Sequence, residues 1–250
     1  MRRLMAGAMV LASVSLWLAG AQQAQATNFT CNDFTGNGMT GDVSGNVTVP
    51  ADGQCNTNGF DVGGNITVGN RAKLFVESGT DIKGTVTAYG PKQLNLADGS
   101  TLAGSLNING PSDGAFGGFA CGVTIGGSVN LQSLTAGRWV IGDSGDSGEG
   151  YDFSSTSPEL NCDTSSTIHG SVNLISNKGV QTLEVSGNTI TGGVTINSNT
   201  VVNEAIEVEG NKIGGSLGCS GNTWTGGSPA INNGGEPNTA PSKTGQCKGF

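Results

Sequence analysis

The chain repeats an eight-residue pattern in which apolar and polar positions alternate around a glycine. The pattern is Asp or Thr, an apolar residue, any residue, Gly, a small polar residue, an apolar residue, Thr or Asn, and an apolar residue. Its copies begin at Asp42, Asp61, Asp81, Thr101, Thr124, Thr167, Thr189 and, in a degenerate form, Lys212. Successive copies lie 19 to 23 residues apart, except for one gap of 43 residues. A repeat of this length predicts a solenoid, because one repeat cannot bury its apolar face alone.

A second apolar segment follows the pattern in most repeats and ends in a turn of Gly, Ser, Asp and Asn, as at Leu74 to Val76 and Leu183 to Val185. This alternation predicts two or three short strands per repeat, the dimension of a right-handed parallel β-helix. We therefore predict an all-β solenoid of about nine coils of about 20 residues. This number of coils includes two coils within the gap of 43 residues. Trp139 to Ile141 would be the strand of the second coil, and the acidic segment 142–160 would replace its pattern.

The alternation also predicts which side chains face the interior. Val47 and Val49 and their equivalents should point inward and stack on neighbouring coils, whereas Asn46 and Thr48 should point outward. The recurrent glycine, Gly45 in the first copy, is expected at a corner that requires either positive φ or a close backbone approach.

The first 26 residues have the pattern of a secretory signal peptide. Arg2 and Arg3 precede an apolar run from Met5 to Leu18, and small residues precede position 27. The run is shorter than a membrane span, so we expect export without membrane insertion. The chain then divides into a signal peptide (1–26), a β-helix domain with an N-terminal cap (27–225) and a Gly/Pro/Asn-rich C-terminal tail (226–250). The predicted location is extracellular, periplasmic or in the cell envelope.

The charge balance limits the classes of partner. The whole chain has 11 basic and 19 acidic residues, a net charge of −8, and only 12% of its residues are charged. Such a deficit of Lys and Arg argues against nucleic acid and against anionic membrane surfaces. Cations and neutral polymers are the favoured partners.

Six cysteines in an exported chain should be paired, because the compartment is oxidising. Fifteen connectivities are possible for six cysteines, but a solenoid restricts contact to neighbouring coils. The predicted disulfides are Cys31–Cys55 across the first coil, Cys121–Cys162 across the long gap and Cys219–Cys247 at the C-terminal end.

The last forty residues resemble a group of exported bacterial right-handed β-helix proteins. The resemblance rests on Ile213-x-Gly-x-Leu-x-Cys219-x-Gly-Asn222 and on Lys243-x-Gly-Gln-Cys247 near the end. The group has no assigned activity. The resemblance therefore implies the fold and export, and it transfers no catalytic residues.

Three carboxylates form the candidate catalytic group. Asp42, Asp61 and Asp81 occupy the same position in three successive repeats, with Lys83 as the nearest base. Clustered carboxylates with a base suit polysaccharide hydrolysis or lyase chemistry. The alternative is that each aspartate forms a turn at a coil corner, and the short loops of the chain favour a protein that is not an enzyme.

The candidate cofactor is Ca²⁺. Asp143, Asp146, Glu149 and Asp152 recur every three residues in a Gly/Ser-rich loop, and hard oxygen ligands on such a loop suit this ion. The alternative is a solvated acidic loop that binds nothing.

A ladder of small polar side chains is the candidate binding face. Its residues are Thr48, Thr67, Thr85, Thr87, Asn107, Asn130, Asn173 and Thr195. Such an array could match a lattice such as ice or a crystalline polysaccharide, although an exposed β-sheet favours the same residues without any ligand.

The sequence favours an exported, non-enzymatic structural or adhesive β-solenoid. A polysaccharide lyase or hydrolase using the aspartate column and an ice- or lattice-binding protein remain alternatives. A polysaccharide or another extended polymer is the candidate partner, and self-association of the solenoids is left open.

Overall fold

The computed structural model describes residues 27–32, 38–112, 117–142 and 164–250. These residues form an all-β parallel solenoid without a helix, as predicted. A membrane-crossing helix is likewise not found among them.

Two long sheets run along the solenoid, and every strand pair in them is parallel. The ten-stranded sheet consists, in order, of Phe29–Thr30, Val47–Val49, Ile66–Val68, Val86–Tyr89, Leu106–Asn109, Val129–Gln132, Val172–Ile175, Val194–Asn197, Ser216–Ser220 and Ser242–Gly245. The eight-stranded sheet consists of Gln54–Asn56, Lys73–Val76, Gln93–Leu96, Gly117–Ala120, Arg138–Gly142, Thr182–Ser186, Ile206–Glu209 and Ile231–Asn232.

Two shorter sheets complete the coils. The six-stranded sheet consists of Asp81–Ile82, Thr101–Leu102, Thr124–Ile125, Thr167–Ile168, Thr189–Ile190 and Lys212–Ile213. The three-stranded sheet consists of Lys178–Val180, Thr200–Val201 and Thr223–Trp224. Each repeat of the sequence pattern thus supplies one strand of the ten-stranded sheet. It also supplies one strand of the six-stranded sheet or, in the first two repeats, an isolated bridge that continues this sheet.

The core is a set of stacked apolar columns inside the coils. Val47 pairs with Ile66 and Ile66 with Val86, and all three side chains are fully buried. Thr48, between two buried valines, is exposed. The predicted inward and outward positions are therefore confirmed.

The solenoid has about eight coils, slightly fewer than the predicted number of about nine. Val129–Gln132 pairs directly with Val172–Ile175, and Arg138–Gly142 pairs directly with Thr182–Ser186. The gap of 43 residues therefore holds one coil with an insertion, and Trp139 to Ile141 belongs to the coil that begins at Thr124. Spacing alone does not separate an extra coil from an insertion of similar length. The insertion, residues 143–163, lies outside the described residues.

The glycines of the pattern stack on one another at a close backbone approach. Among the described residues, no glycine of the pattern, from Gly45 to Gly215, has positive φ. The Gly104 N–H donates to the Gly84 carbonyl oxygen at 2.8 Å, and a Cβ added at Gly104 would lie 2.5 Å from that oxygen. Of the two predicted reasons for glycine, close approach is the one that applies.

Two ladders of buried asparagines join the C-terminal coils, and the sequence analysis did not predict them. The ladders are Asn177, Asn199 and Asn222, and Asn188, Asn211 and Asn238. Each ladder repeats one contact, in which the side-chain oxygen accepts from the asparagine one coil earlier. The Asn177 backbone N–H and Nδ2 both donate to Asn199 Oδ1, at 3.0 and 2.9 Å. Every such bond satisfies polar groups inside the solenoid, where water does not reach.

Disulfides tie both ends of the solenoid. The predicted Cys31–Cys55 and Cys219–Cys247 bonds are present. Cys121 is also disulfide-bonded, and its predicted partner Cys162 lies outside the described residues.

Residues 226–250 are more ordered than the predicted tail. They add Ile231–Asn232 to the eight-stranded sheet and Ser242–Gly245 to the ten-stranded sheet. Gln246 Oε1 accepts the Asn222 backbone N–H at 3.0 Å and ends an asparagine ladder. The segment thus completes the last turn and caps it.

Candidate functional site

The predicted aspartate column is brought together at one corner of the first coils. The Asp61 N–H donates to Asp42 Oδ1 at 3.0 Å, and the Asp81 N–H donates to Asp61 Oδ1 at 2.9 Å. The Thr101 hydroxyl continues the column by donating to Asp81 Oδ1 at 2.6 Å. Each carboxylate therefore satisfies a group of the next coil, which is the arrangement of a turn-forming residue.

The surroundings of Asp81 do not suit a general acid. The Lys83 ammonium hydrogen-bonds Asp81, and together with the Thr101 hydroxyl it holds the pKa of the Asp81 carboxyl below its ordinary value. The pKa of Lys83 is raised by the same contact. A glycosidase of the common two-carboxylate type needs one acid with a raised pKa, and Asp81 is shifted in the opposite direction.

The predicted Ca²⁺ loop is not part of the described structure. Asp143, Asp146, Glu149 and Asp152 all lie in the segment 143–163. Ca²⁺ binding there stays a prediction.

The outer surface of the ten-stranded sheet, here called the flat face, presents three columns of side chains. The first column holds residues at the corner before each strand, namely Asn46, Asn65, Thr85, Ser105, Ser128 and Ser171. Their oxygens accept the backbone N–H of the next coil: Asn65 N–H reaches Asn46 Oδ1 at 2.8 Å, and Ser128 N–H reaches Ser105 Oγ at 3.1 Å. The first column therefore joins the coils, and Thr85 of the predicted face belongs to it.

The middle column contains the other predicted face residues. In register along the sheet they are Thr48, Thr67, Thr87, Asn107, Asn130, Asn173 and Thr195. The three asparagines form an amide ladder in which Asn130 Nδ2 donates to Asn107 Oδ1 at 2.8 Å and Asn173 repeats the contact. In the described structure Thr48, Thr67 and Thr87 make no side-chain hydrogen bond, so these hydroxyls are available to a ligand.

The third column lies at the far edge of the flat face. Its members from the second to the seventh coil are Gly69, Tyr89, Asn109, Gln132, Ile175 and Asn197. Tyr89 is the most exposed large apolar side chain among the described residues, with 55% of its surface accessible. In the sequence Tyr89 lies outside the repeated Thr and Asn positions, so the pattern does not mark it.

The flat face is free of charge. Across the three described columns, from Asn46 to Ser220, every side chain is neutral. Ten strands at the usual spacing give the face a length of roughly 40 Å. The acidic residues that the structure describes therefore lie outside these three columns.

A carboxylate cluster on the eight-stranded sheet was missed. Glu184, Glu207 and Glu209 have carboxylate oxygens within 4.8 Å of one another. The Ser186 hydroxyl donates to Glu184 Oε1 at 2.6 Å, and Asn232 Nδ2 donates to Glu207 Oε1 at 3.3 Å. The sequence does contain a sign of this cluster. Glu184 and Glu207 each stand between two apolar residues in equivalent strands, and the two residues pair in register.

Burial is the main influence on the ionisation of Glu184. It raises the pKa of Glu184 to about 8, against the Ser186 hydrogen bond, and the charges of Glu207, Glu209 and Glu204 add to the rise. Carboxylate oxygens are the ligands that Ca²⁺ prefers. A proton on Glu184 relieves the repulsion equally well, so the cluster by itself does not assign a metal site.

Comparisons with protein-family models, curated proteins and solved structures find no match to this chain. The function must therefore be inferred from the molecule, and the flat face is its most extended regular surface.

Proposed function

We propose that this chain is an exported, non-enzymatic β-solenoid that adheres to an extended neutral polymer through the flat face. The main support is that the three columns of this face carry no charged side chain from Asn46 to Ser220, in a chain of net charge −8. A charged polymer would leave its charges unpaired against such a surface, at a desolvation cost. A neutral polymer avoids this cost.

The flat face is suited to many weak contacts. Its backbone is fixed by parallel pairing on both sides, so binding orders little of the protein. The free hydroxyls of Thr48, Thr67 and Thr87 recur once per coil, and a polymer with repeating hydroxyl groups can meet them one after another. The signal-peptide pattern of residues 1–26 and the terminal disulfides support export, because disulfides persist in oxidising compartments.

A lattice such as ice is a second candidate ligand for the same face. The regular threonine spacing from Thr48 to Thr87 favours it. Asparagine replaces threonine in the next three coils, and there the amides bond to each other. The neutral polymer remains the better candidate, because it does not require one repeated side chain.

The test is a pull-down of purified protein on insoluble neutral glycans, with an anionic glycan and a thermal-hysteresis assay alongside. The variant is Thr67→Asp, which puts a charge into the middle column, and the matched control is Thr124→Asp on the six-stranded sheet. Both threonines are exposed. We expect Thr67→Asp to weaken binding at least tenfold and Thr124→Asp to leave it within about twofold, since a desolvated unpaired charge costs more than 1.4 kcal/mol.

Two results would overturn the proposal. One is a wild-type protein that binds no neutral glycan. The other is equal loss of binding in both variants, which would show that the flat face is not the contact surface.

A further inference from the structure

We infer that Tyr89 is a sugar-stacking position on the flat face, so that the polymer it takes is a neutral polysaccharide of pyranose rings. This inference rests on the proposed function and names its ligand class.

The placement of Tyr89 is unlike that of the other exposed apolar side chains. It ends the strand Val86–Tyr89 and points outward from the flat face, with 55% of its surface accessible, against 36% for Phe29 and 38% for Val202. Every other position of the three columns in its own and the two adjoining coils is a Gly, Ser, Thr or Asn. A single aromatic ring therefore stands on a surface of small neutral groups.

The preceding coil has no side chain at the position equivalent to Tyr89. The equivalent position there is Gly69, which follows Val68, the register partner of Ala88. A Cβ at Gly69 would lie 2.6 Å from the Ala51 backbone nitrogen, so close packing excludes any side chain at this position. In the third column, therefore, no side chain of the preceding coil stands next to Tyr89.

Polar side chains lie on the following coil and in the neighbouring column. Asn109 pairs with Tyr89 on the following coil, and Asn107 and Thr87 lie beside them in the middle column. The Asn109 amide makes no side-chain hydrogen bond within the described structure. Amide and hydroxyl groups at these positions can bond the hydroxyls at the rim of a ring that rests on Tyr89.

The chemistry of a pyranose matches both parts of this arrangement. One face of the ring presents C–H groups, which pack on the electron-rich face of an aromatic side chain, and its rim presents hydroxyls. An ice surface has no C–H face. An anionic polymer would bring charges to a surface without counter-charges in its three columns.

The experiment measures affinity for cellohexaose, chitohexaose and mannohexaose by titration calorimetry on the purified protein. The variants are Tyr89→Ala and Tyr89→Phe, and Val202→Ala is the control for loss of an exposed apolar side chain away from the flat face. We expect Tyr89→Ala to weaken binding of at least one hexasaccharide about tenfold, from the stacking energy of one ring. Tyr89→Phe and Val202→Ala should stay within about twofold of wild type.

The outcomes separate this inference from the proposed function. If Tyr89→Ala binds as well as wild type while Thr67→Asp loses binding, the stacking position is refuted and the flat face stands. Thermal hysteresis without binding of any hexasaccharide or insoluble glycan overturns both. Binding of anionic glycans alone also overturns both.

Discussion

Replacing Glu184 by glutamine should remove the loss of stability that this side chain causes at alkaline pH. In the folded protein this carboxyl is 2% exposed, and its pKa is about 8, mainly because of burial. In the unfolded chain it has its ordinary value of 4.5. Between these two values the folded state holds a proton that the unfolded state has lost. The free energy of unfolding therefore falls as pH rises from about 4.5 to about 8.

The magnitude follows from the two pKa values. Each unit corresponds to about 1.4 kcal/mol, so the rise from 4.5 to about 8 amounts to at most about 5 kcal/mol. Glutamine has nearly the shape of the protonated side chain, and its Oε1 can accept the Ser186 hydroxyl. We expect Glu184→Gln to lie within about 1 kcal/mol of wild type at pH 5 and to be about 2–5 kcal/mol more stable at pH 9.

The assay is urea unfolding at several pH values from 5 to 9 for wild type and Glu184→Gln. The control is Glu77→Gln, a carboxylate outside the cluster, where it accepts the Asn56 side-chain amide. This control should keep the wild-type difference between pH 5 and pH 9. Parallel profiles for wild type and Glu184→Gln would refute the reasoning, because the carboxyl would then not be protonated in the folded state.

Two further substitutions test the contacts between coils. Gly104→Val should lower the free energy of unfolding by more than about 3 kcal/mol in urea titrations, because its Cβ would lie 2.5 Å from the backbone oxygen of the glycine one coil earlier. The control is Gly41→Val, because a Cβ at Gly41 would have no atom within 4 Å. An equal loss of stability in both variants would contradict the argument. Asn199→Leu should lower the free energy of unfolding by about 2–4 kcal/mol in thermal or urea unfolding, because the buried backbone N–H and side-chain amide of Asn177 lose their acceptor. An unchanged unfolding midpoint would show that the ladder contributes nothing to stability.

The fold was predictable because the repeat carries its own register. Val47, Ile66 and Val86 occupy the same place in successive copies, and the structure stacks them in that order. The number of coils was not predictable in the same way. A gap between Gly127 and Gly170 of twice the usual length fits either an insertion or a further coil, and only strand pairing distinguishes the two.

The roles of the polar positions were harder to predict, because the alternation shows only that a side chain points away from the core. Asn46 and Thr48 both point outward. The Asn46 oxygen accepts a hydrogen bond from the next coil, whereas the Thr48 hydroxyl bonds no group among the described residues. The inner ladders show the opposite case. Asn177 and Asn199 follow the pattern glycines at a constant distance of seven residues, so the repeat was visible. It was overlooked because asparagine is usually assigned to the surface.

This division of polar residues has a consequence for binding. Side chains of the first column and of the inner asparagine ladders form hydrogen bonds between coils. These bonds fix the spacing of the flat face, and they leave ligand contact to the other columns. The middle column then presents its hydroxyls at an interval that folding has already set, and the entropy of ordering them does not recur on binding. Affinity for a long polymer should therefore grow with the number of coils engaged. Under the proposed binding mode, a ligand that covers only one coil would depend mainly on Tyr89.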